Sequence, residues 1–267
     1  MSALPPLIDT HTHCYGPDYA DDQEAMLARA QAAGVTHLLL AATDASCAAQ
    51  QDALVARHPA LISQMMGLHP CEVGPDVEGQ LQAVRHLLFD SPLHYVAVGE
   101  IGLDYHWDTT HRAAQLSALR QQLLWARQLD KPASIHVREA YDDFFPLLLE
   151  ARRADGLRAD NPGVVHCFSG TVEQAWRLAE MGFCLGIGGV VTYPRSLMAQ
   201  VAAELPLERL VLETDAPYLS PVPRRGRRNE EAYLTHTAEA VARLRGISLD
   251  EVATVTTATA QRLFLLG

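Results

Sequence analysis

Along the chain, short aliphatic runs alternate with longer stretches in which apolar residues recur three and four apart, and the alternation repeats eight times. The runs predict strands at 7–10, 36–41, 61–66, 95–99, 133–136, 163–166, 183–187 and 209–213. Each run is largely apolar throughout, as in parallel strands buried on both faces. Helical spacing is clearest at 111–129, where Leu116, Leu119, Leu123 and Ala126 share one face, and at 140–153 and 172–181. It is weakest after Pro194. Two more helices follow the eighth strand, at 230–245 and from Ser248, whose Glu251 three residues on resembles a capping box. Eight β-α units in series predict an α/β fold, a (β/α)8 TIM barrel, for which ~250 residues is typical. No linker, low-complexity tract or internal repeat interrupts the 267 residues, so one barrel domain over 1–267 is expected.

Composition narrows the function classes. With 48% hydrophobic and 20% charged residues the chain has material for a sizeable core. No apolar run reaches the roughly 18 residues of a membrane span, and the first residues lack a basic region followed by an apolar one. The five scattered cysteines, Cys14, Cys47, Cys71, Cys167 and Cys184, contain no Cys-x-x-Cys. A cytoplasmic protein with reduced thiols is expected, without membrane contact or an obligate protein partner. A formal net charge of −11 repels polyanions at long range and weighs against coating of duplex DNA. Phosphate binding must therefore be local, and four arginines do cluster in Arg224-Arg225-Gly226-Arg227-Arg228.

The candidate chemistry lies where the strands end. In Asp9-Thr10-His11-Thr12-His13 two histidines sit two apart at the end of the first strand, so strand periodicity aims both imidazoles to one side. His-x-His alone is a weak signal. Glu100, His136, His166 and Asp215, however, take the equivalent place on four other strands, and in a barrel those ends converge on the face that carries active sites. Singly, each has an ordinary alternative as a helix cap or a solvated side chain. Four imidazoles and two carboxylates exceed the three protein ligands of one catalytic zinc, so two divalent metal ions fit better. Sharing them needs a bridging anion, for which Glu100 is placed better than Lys131, which precedes the fifth strand.

The chain resembles the TatD family of metal-dependent deoxyribonucleases, within the amidohydrolase superfamily. The motifs that carry the resemblance are Asp9-Thr10-His11-Thr12-His13, Gly67-Leu68-His69-Pro70, Gly99-Glu100-Ile101-Gly102-Leu103-Asp104-Tyr105, Ile135-His136-Val137-Arg138-Glu139-Ala140, Val165-His166-Cys167-Phe168-Ser169-Gly170, Glu213-Thr214-Asp215-Ala216-Pro217-Tyr218-Leu219 and Arg225-Gly226-Arg227-Arg228-Asn229-Glu230. The resemblance implies one metal on His11, His13, Glu100 and Asp215 and a second on Glu100, His136 and His166. It also implies hydrolysis of DNA with 3′-5′ exonuclease polarity. Two positions depart from the family pattern: Glu231 stands where Asn-Glu-Pro is usual, and Thr259 where Thr-Thr-x-Asn is common.

Paired cations would activate a water and stabilise both oxygens of an in-line displacement at phosphorus. Asp215 is the candidate to orient that water and take its proton, with Glu100 as the shared ligand. Arg138, and Arg225 and Arg228 from the cluster, are candidate phosphate contacts, and His69 a candidate donor to substrate. Tyr193 and Tyr105 are candidates to stack a nucleobase. Four imidazoles favour zinc, manganese, iron or cobalt over magnesium, zinc and manganese first and nickel also compatible, while the family resemblance adds magnesium. The expected partner is thus DNA or a short phosphodiester. Two other readings fit the same site: an amidohydrolase acting on a small amide, lactone or other ester, and a binding module without chemistry.

Overall fold

A computed structural model describes residues 5–91, 93–107 and 109–266. Eight strands pair in chain order, all parallel: β1 Leu7–Thr12, β2 Val35–Leu40, β3 Ile62–Met66, β4 Tyr95–Asp104, β5 Ala133–Arg138, β6 Gly163–Val165, β7 Cys184–Ile187 and β8 Leu210–Leu212. Beyond β8 the chain returns to β1, where His11 O accepts from Asp215 N at 2.9 Å and His13 N donates to Ala216 O at 2.8 Å. These bonds nearly close a (β/α)8 TIM barrel. Parallel neighbours need long crossovers, and α1 Gln23–Ala32, α2 Ala48–Arg57, α3 Val77–Phe89, α4 Arg112–Gln128, α5 Tyr141–Arg153, α6 Val172–Glu180 and α7 Leu197–Glu204 supply them. Two helices, α8 Leu234–Arg245 and α9 Leu249–Phe264, follow β8.

Alternate strand residues divide the core. Leu38 and Leu40 pack outward with the helices, while Ile8, Leu39, Met65, Ala97, Val164 and Val211 form a separate inner cluster. Leu263 and Phe264 of α9 join that inner cluster. The helix is held there by Thr257 Oγ1 to Pro6 O at 2.9 Å, just before β1, so it caps the barrel at the strands' N-terminal end. The opposite, C-terminal end stays open.

The elements expected from periodicity are present, with shifted ends. β4 runs on to Asp104 instead of stopping at residue 99. The helix expected from 230 starts with a 3-10 turn at Glu231–Tyr233 and becomes α-helical only at Leu234, because Glu230 is extended (φ −150°, ψ 156°) and its carboxylate is bound to Arg29. Ser248 caps α9 as expected, accepting from Glu251 N at 3.1 Å.

Candidate metal centre

Both ligand-rich strands carry an irregularity next to their key side chains. Between the pairs Asp9↔Leu38 and Thr12↔Leu40, β1 contains one more residue than β2. β4 gains one on β5 between Val98↔Ala133 and Ile101↔Ile135. An extra residue in a strand re-aims the side chains beside it, and those are His11 and Glu100. Gly99 allows the bulge, since a Cβ there would lie 2.6 Å from Ser134 Cβ.

Glu100 sits at the centre. Its Oε2 is 3.2 Å from His11 Nε2 and 3.7 Å from His13 Nε2, and His13 Nε2 is 3.6 Å from Asp215 Oδ1. Its Oε1 is 2.7 Å from His166 Nε2 and 3.2 Å from both His136 Nδ1 and His69 Nε2. One carboxylate thus faces a different group of donors with each oxygen. The six side chains named from the sequence are together, and His69 joins them on the Oε1 side. Two pairs of ring nitrogens face each other at 3.3 Å, His11 Nε2 with His13 Nε2 and His136 Nδ1 with His166 Nε2. Converging imidazole nitrogens flanking a carboxylate suit divalent cations, and His11–His13–Glu100, His11–His166–Asp215 and His69–Glu100–His136 each bring three donor atoms within 4.8 Å.

Three buried carboxylates, not singled out from the sequence, hold this set in place. Asp104 Oδ2 is 2.7 Å from His136 Nε2. Glu213 accepts from Cys167 N and lies 3.6 Å from His166 Nδ1, in space that a Cβ on Gly186 would fill. Asp9 accepts from Thr214 N and Thr214 Oγ1 at 2.9 and 2.5 Å, tying the approach to Asp215 onto β1. Asp104, hydrogen-bonded to His136, is the kind of partner that fixes the ring orientation of a ligating histidine.

The charges respond to this crowding. Burial alone would raise the Glu100 carboxyl, but the imidazoles of His166, His69 and His11 outweigh it and hold it well below its ordinary value. Asp215 is likewise lowered, burial being outweighed by His13, His166 and His11. For His166, burial favours the neutral ring, yet Glu100 and Glu213 raise it well above the ordinary value. His11 moves the other way, lowered by burial and by His166, whose ring stacks on it at 3.8 Å. Without cations, then, the carboxylates and the imidazoles of His13, His136 and His166 favour each other's charged forms.

The TatD related DNase family profile matches residues 8–265. The chain belongs to the TatD family. The metal-dependent hydrolase YabD of Bacillus subtilis is 34% identical over 262 residues, 98% of this chain and 100% of that protein. The 3'-5' ssDNA/RNA exonuclease TatD of Erwinia billingiae is 33% identical over 266 residues, covering 97% and 99%. The crystal structure of YjjV, a TatD homologue from Escherichia coli K12, superimposes with a TM-score of 0.89 at 35% identity over 98% of both chains. This TatD-family protein is a metal-dependent hydrolase, with its His, Glu and Asp clusters as candidate metal sites.

A cavity of about 780 Å³ opens above the centre, lined by His13, His69, Glu100, His136, His166 and Asp215 and by Arg138. The other expected substrate contacts stand elsewhere. Arg228 is held by Asp22 at 2.7 and 2.8 Å and lies over Tyr19, while Arg225 lies over Tyr193 at 4.5 Å. Tyr193 donates its hydroxyl to Ser220 O, and Tyr105 donates to Asp143. None of these four lines the cavity. The aromatic residues that do include Trp107 and Tyr218. No helix among the described residues is long and apolar enough to cross a membrane.

Proposed function

We propose that this TatD-family hydrolase cleaves phosphodiester bonds in DNA, from a 3′ end or in short single strands, with the whole chain, 1–267, acting as one catalytic unit. The observation that carries the reading is the split environment of Glu100, whose two oxygens face separate groups of donors. His11, His13, Glu100 and Asp215 would hold one divalent cation, and Glu100, His136 and His166 a second, zinc or manganese suiting the nitrogen-rich set. When bound, such ions lower the pKa of water and neutralise charge on a phosphate undergoing in-line displacement.

The protein's part is positioning and proton handling. Asp215, at the cavity floor and braced by its N–H on His11 O, orients the attacking water and accepts its proton. His69 and Arg138, both lining the cavity, offer donors to the phosphate oxygens. Arg225 and Arg228 remain outside the cavity and would meet only a longer strand. The name of the Erwinia relative, an exonuclease on single-stranded DNA and RNA, supports the same substrate class.

The test is release of 3′ nucleotides from a labelled single-stranded oligonucleotide after chelation and metal add-back, alongside lactones and cyclic amides. Turnover of the oligonucleotide that returns with metal and falls about 100- to 10,000-fold in Asp215→Asn is expected. Turnover confined to the lactones or amides, or an oligonucleotide activity indifferent to chelator, overturns the proposal.

A further inference from the structure

Nine large hydrophobic side chains are exposed among the described residues, and four of them, Trp107, Leu197, Tyr218 and Leu219, line the one cavity above the metal centre. Trp107 is the extreme case, 74% exposed. Exposed apolar side chains gathered on one cavity beside polar groups mark a ligand-binding surface. Trp107 is also held in place. The Arg138 guanidinium lies over the ring at 5.4 Å, and the His106 ring meets it edge-on at 4.8 Å. Arg138 is itself fixed in β5, where its carbonyl accepts from Tyr105 N at 3.0 Å. The result is a flat aromatic platform, oriented by an arginine, at the wall of a cavity whose floor is built for a phosphodiester.

We propose that Trp107 is the nucleobase platform of this site, stacking the base of a nucleotide that flanks the scissile phosphate while Arg138 beneath it serves that phosphate. The inference rests on the nucleic-acid reading above and adds to it the residue through which an unpaired base is recognised. A base inside a duplex has its faces covered by its neighbours, whereas an unpaired base offers a face to a tryptophan whatever its identity. Recognition through Trp107 therefore selects unpaired ends and is tolerant of sequence.

Trp107 also reports on its own contact, because Trp125 is buried and Trp176 lies outside the cavity. Tryptophan fluorescence of the metal-loaded protein is titrated with a short single-stranded oligodeoxyadenylate carrying phosphorothioate linkages, and with an abasic chain of the same length. Hydrolysis of the normally linked versions of both is measured in parallel. Expected are quenching by the base-bearing single strand, none by the abasic chain, little by a blunt duplex of the same length titrated alongside, and loss of the quench in Trp107→Phe, with KM for the base-bearing strand raised less than in Trp107→Ala. In Trp107→Ala, KM for the base-bearing strand rises about ten-fold or more, kcat stays within about two-fold, and the abasic chain is handled as by the unaltered protein. Equal effects of Trp107→Ala on both chains, or no Trp107-dependent quench, would overturn the inference even if the strand is cleaved. A Trp107-dependent quench by a strand that is never cleaved would uphold the platform and sink the hydrolytic reading instead.

Discussion

At the scale of single residues, Glu100 is the side chain on which the rest depends, because among the described residues it is the one carboxylate within 3.2 Å of donors in both groups. Glu100→Ala is therefore expected to lose metal from both sites, whereas His13→Ala should lose it chiefly from the His11 side; metal content by plasma mass spectrometry distinguishes the two. Asp104 acts through His136. Asp104→Asn should weaken metal affinity about 10- to 100-fold while leaving the fold intact, as read by competition with a chromogenic chelator. Protonation gives a third handle. His13, His136 and His166 are all raised in the metal-free protein, burial being outweighed by Asp215, Glu100 and Asp104 as partners. A raised folded-state pKa adds stability below the unfolded value and loses it as pH rises through the folded one. Cations must displace those same protons. Metal-free protein should thus lose stability as pH rises above the ordinary histidine value of about 6.5, while the stabilisation by added zinc or manganese grows over the same range, as thermal unfolding with and without metal would show.

At the scale of elements, the bulges in β1 and β4 decide whether the ligands meet. A Cβ on Gly99 would collide with Ser134, so Gly99→Ala should cost about 1–3 kcal/mol in urea unfolding and lower metal content with it, by pushing Glu100 out of line. Periodicity revealed the strands and the helices but not these extra residues, because one residue of slippage leaves an apolar run looking the same. β4 reads as ending at residue 99 because Glu100 interrupts the apolar run, although the strand continues to Asp104. The candidate ligands are legible as a group because strand-end His, Glu and Asp stand out against aliphatic runs. Their carboxylate partners had a signal too: Asp9 precedes His11 by two residues, Glu213 precedes Asp215 by two, and Asp104 follows Glu100 by four, all even spacings on one strand or its extension. The substrate contacts were less legible. An arginine cluster in sequence fans outward in space, onto Tyr233, Tyr193 and Tyr19, and whether an aromatic residue reaches a cavity is decided by loop conformation that no periodicity encodes.

At the scale of the whole molecule, the two ends of the barrel do different work. Phe264 and Leu263 from α9 fill the end away from the site, so Phe264→Ala should lower stability by about 3–5 kcal/mol without changing how much metal the folded protein holds. The open end gathers the donors, and a net charge of −11 leaves attraction of a polyanion to the few cationic groups and bound metals there. Everything proposed for catalysis follows from two cations sharing Glu100. Anomalous diffraction from crystals grown with manganese tests that directly: two peaks are predicted, one bonded to each oxygen of Glu100, with His11, His13 and Asp215 around the first and His136 and His166 around the second. A single peak, or a pair that leaves Glu100 unbound, would contradict it.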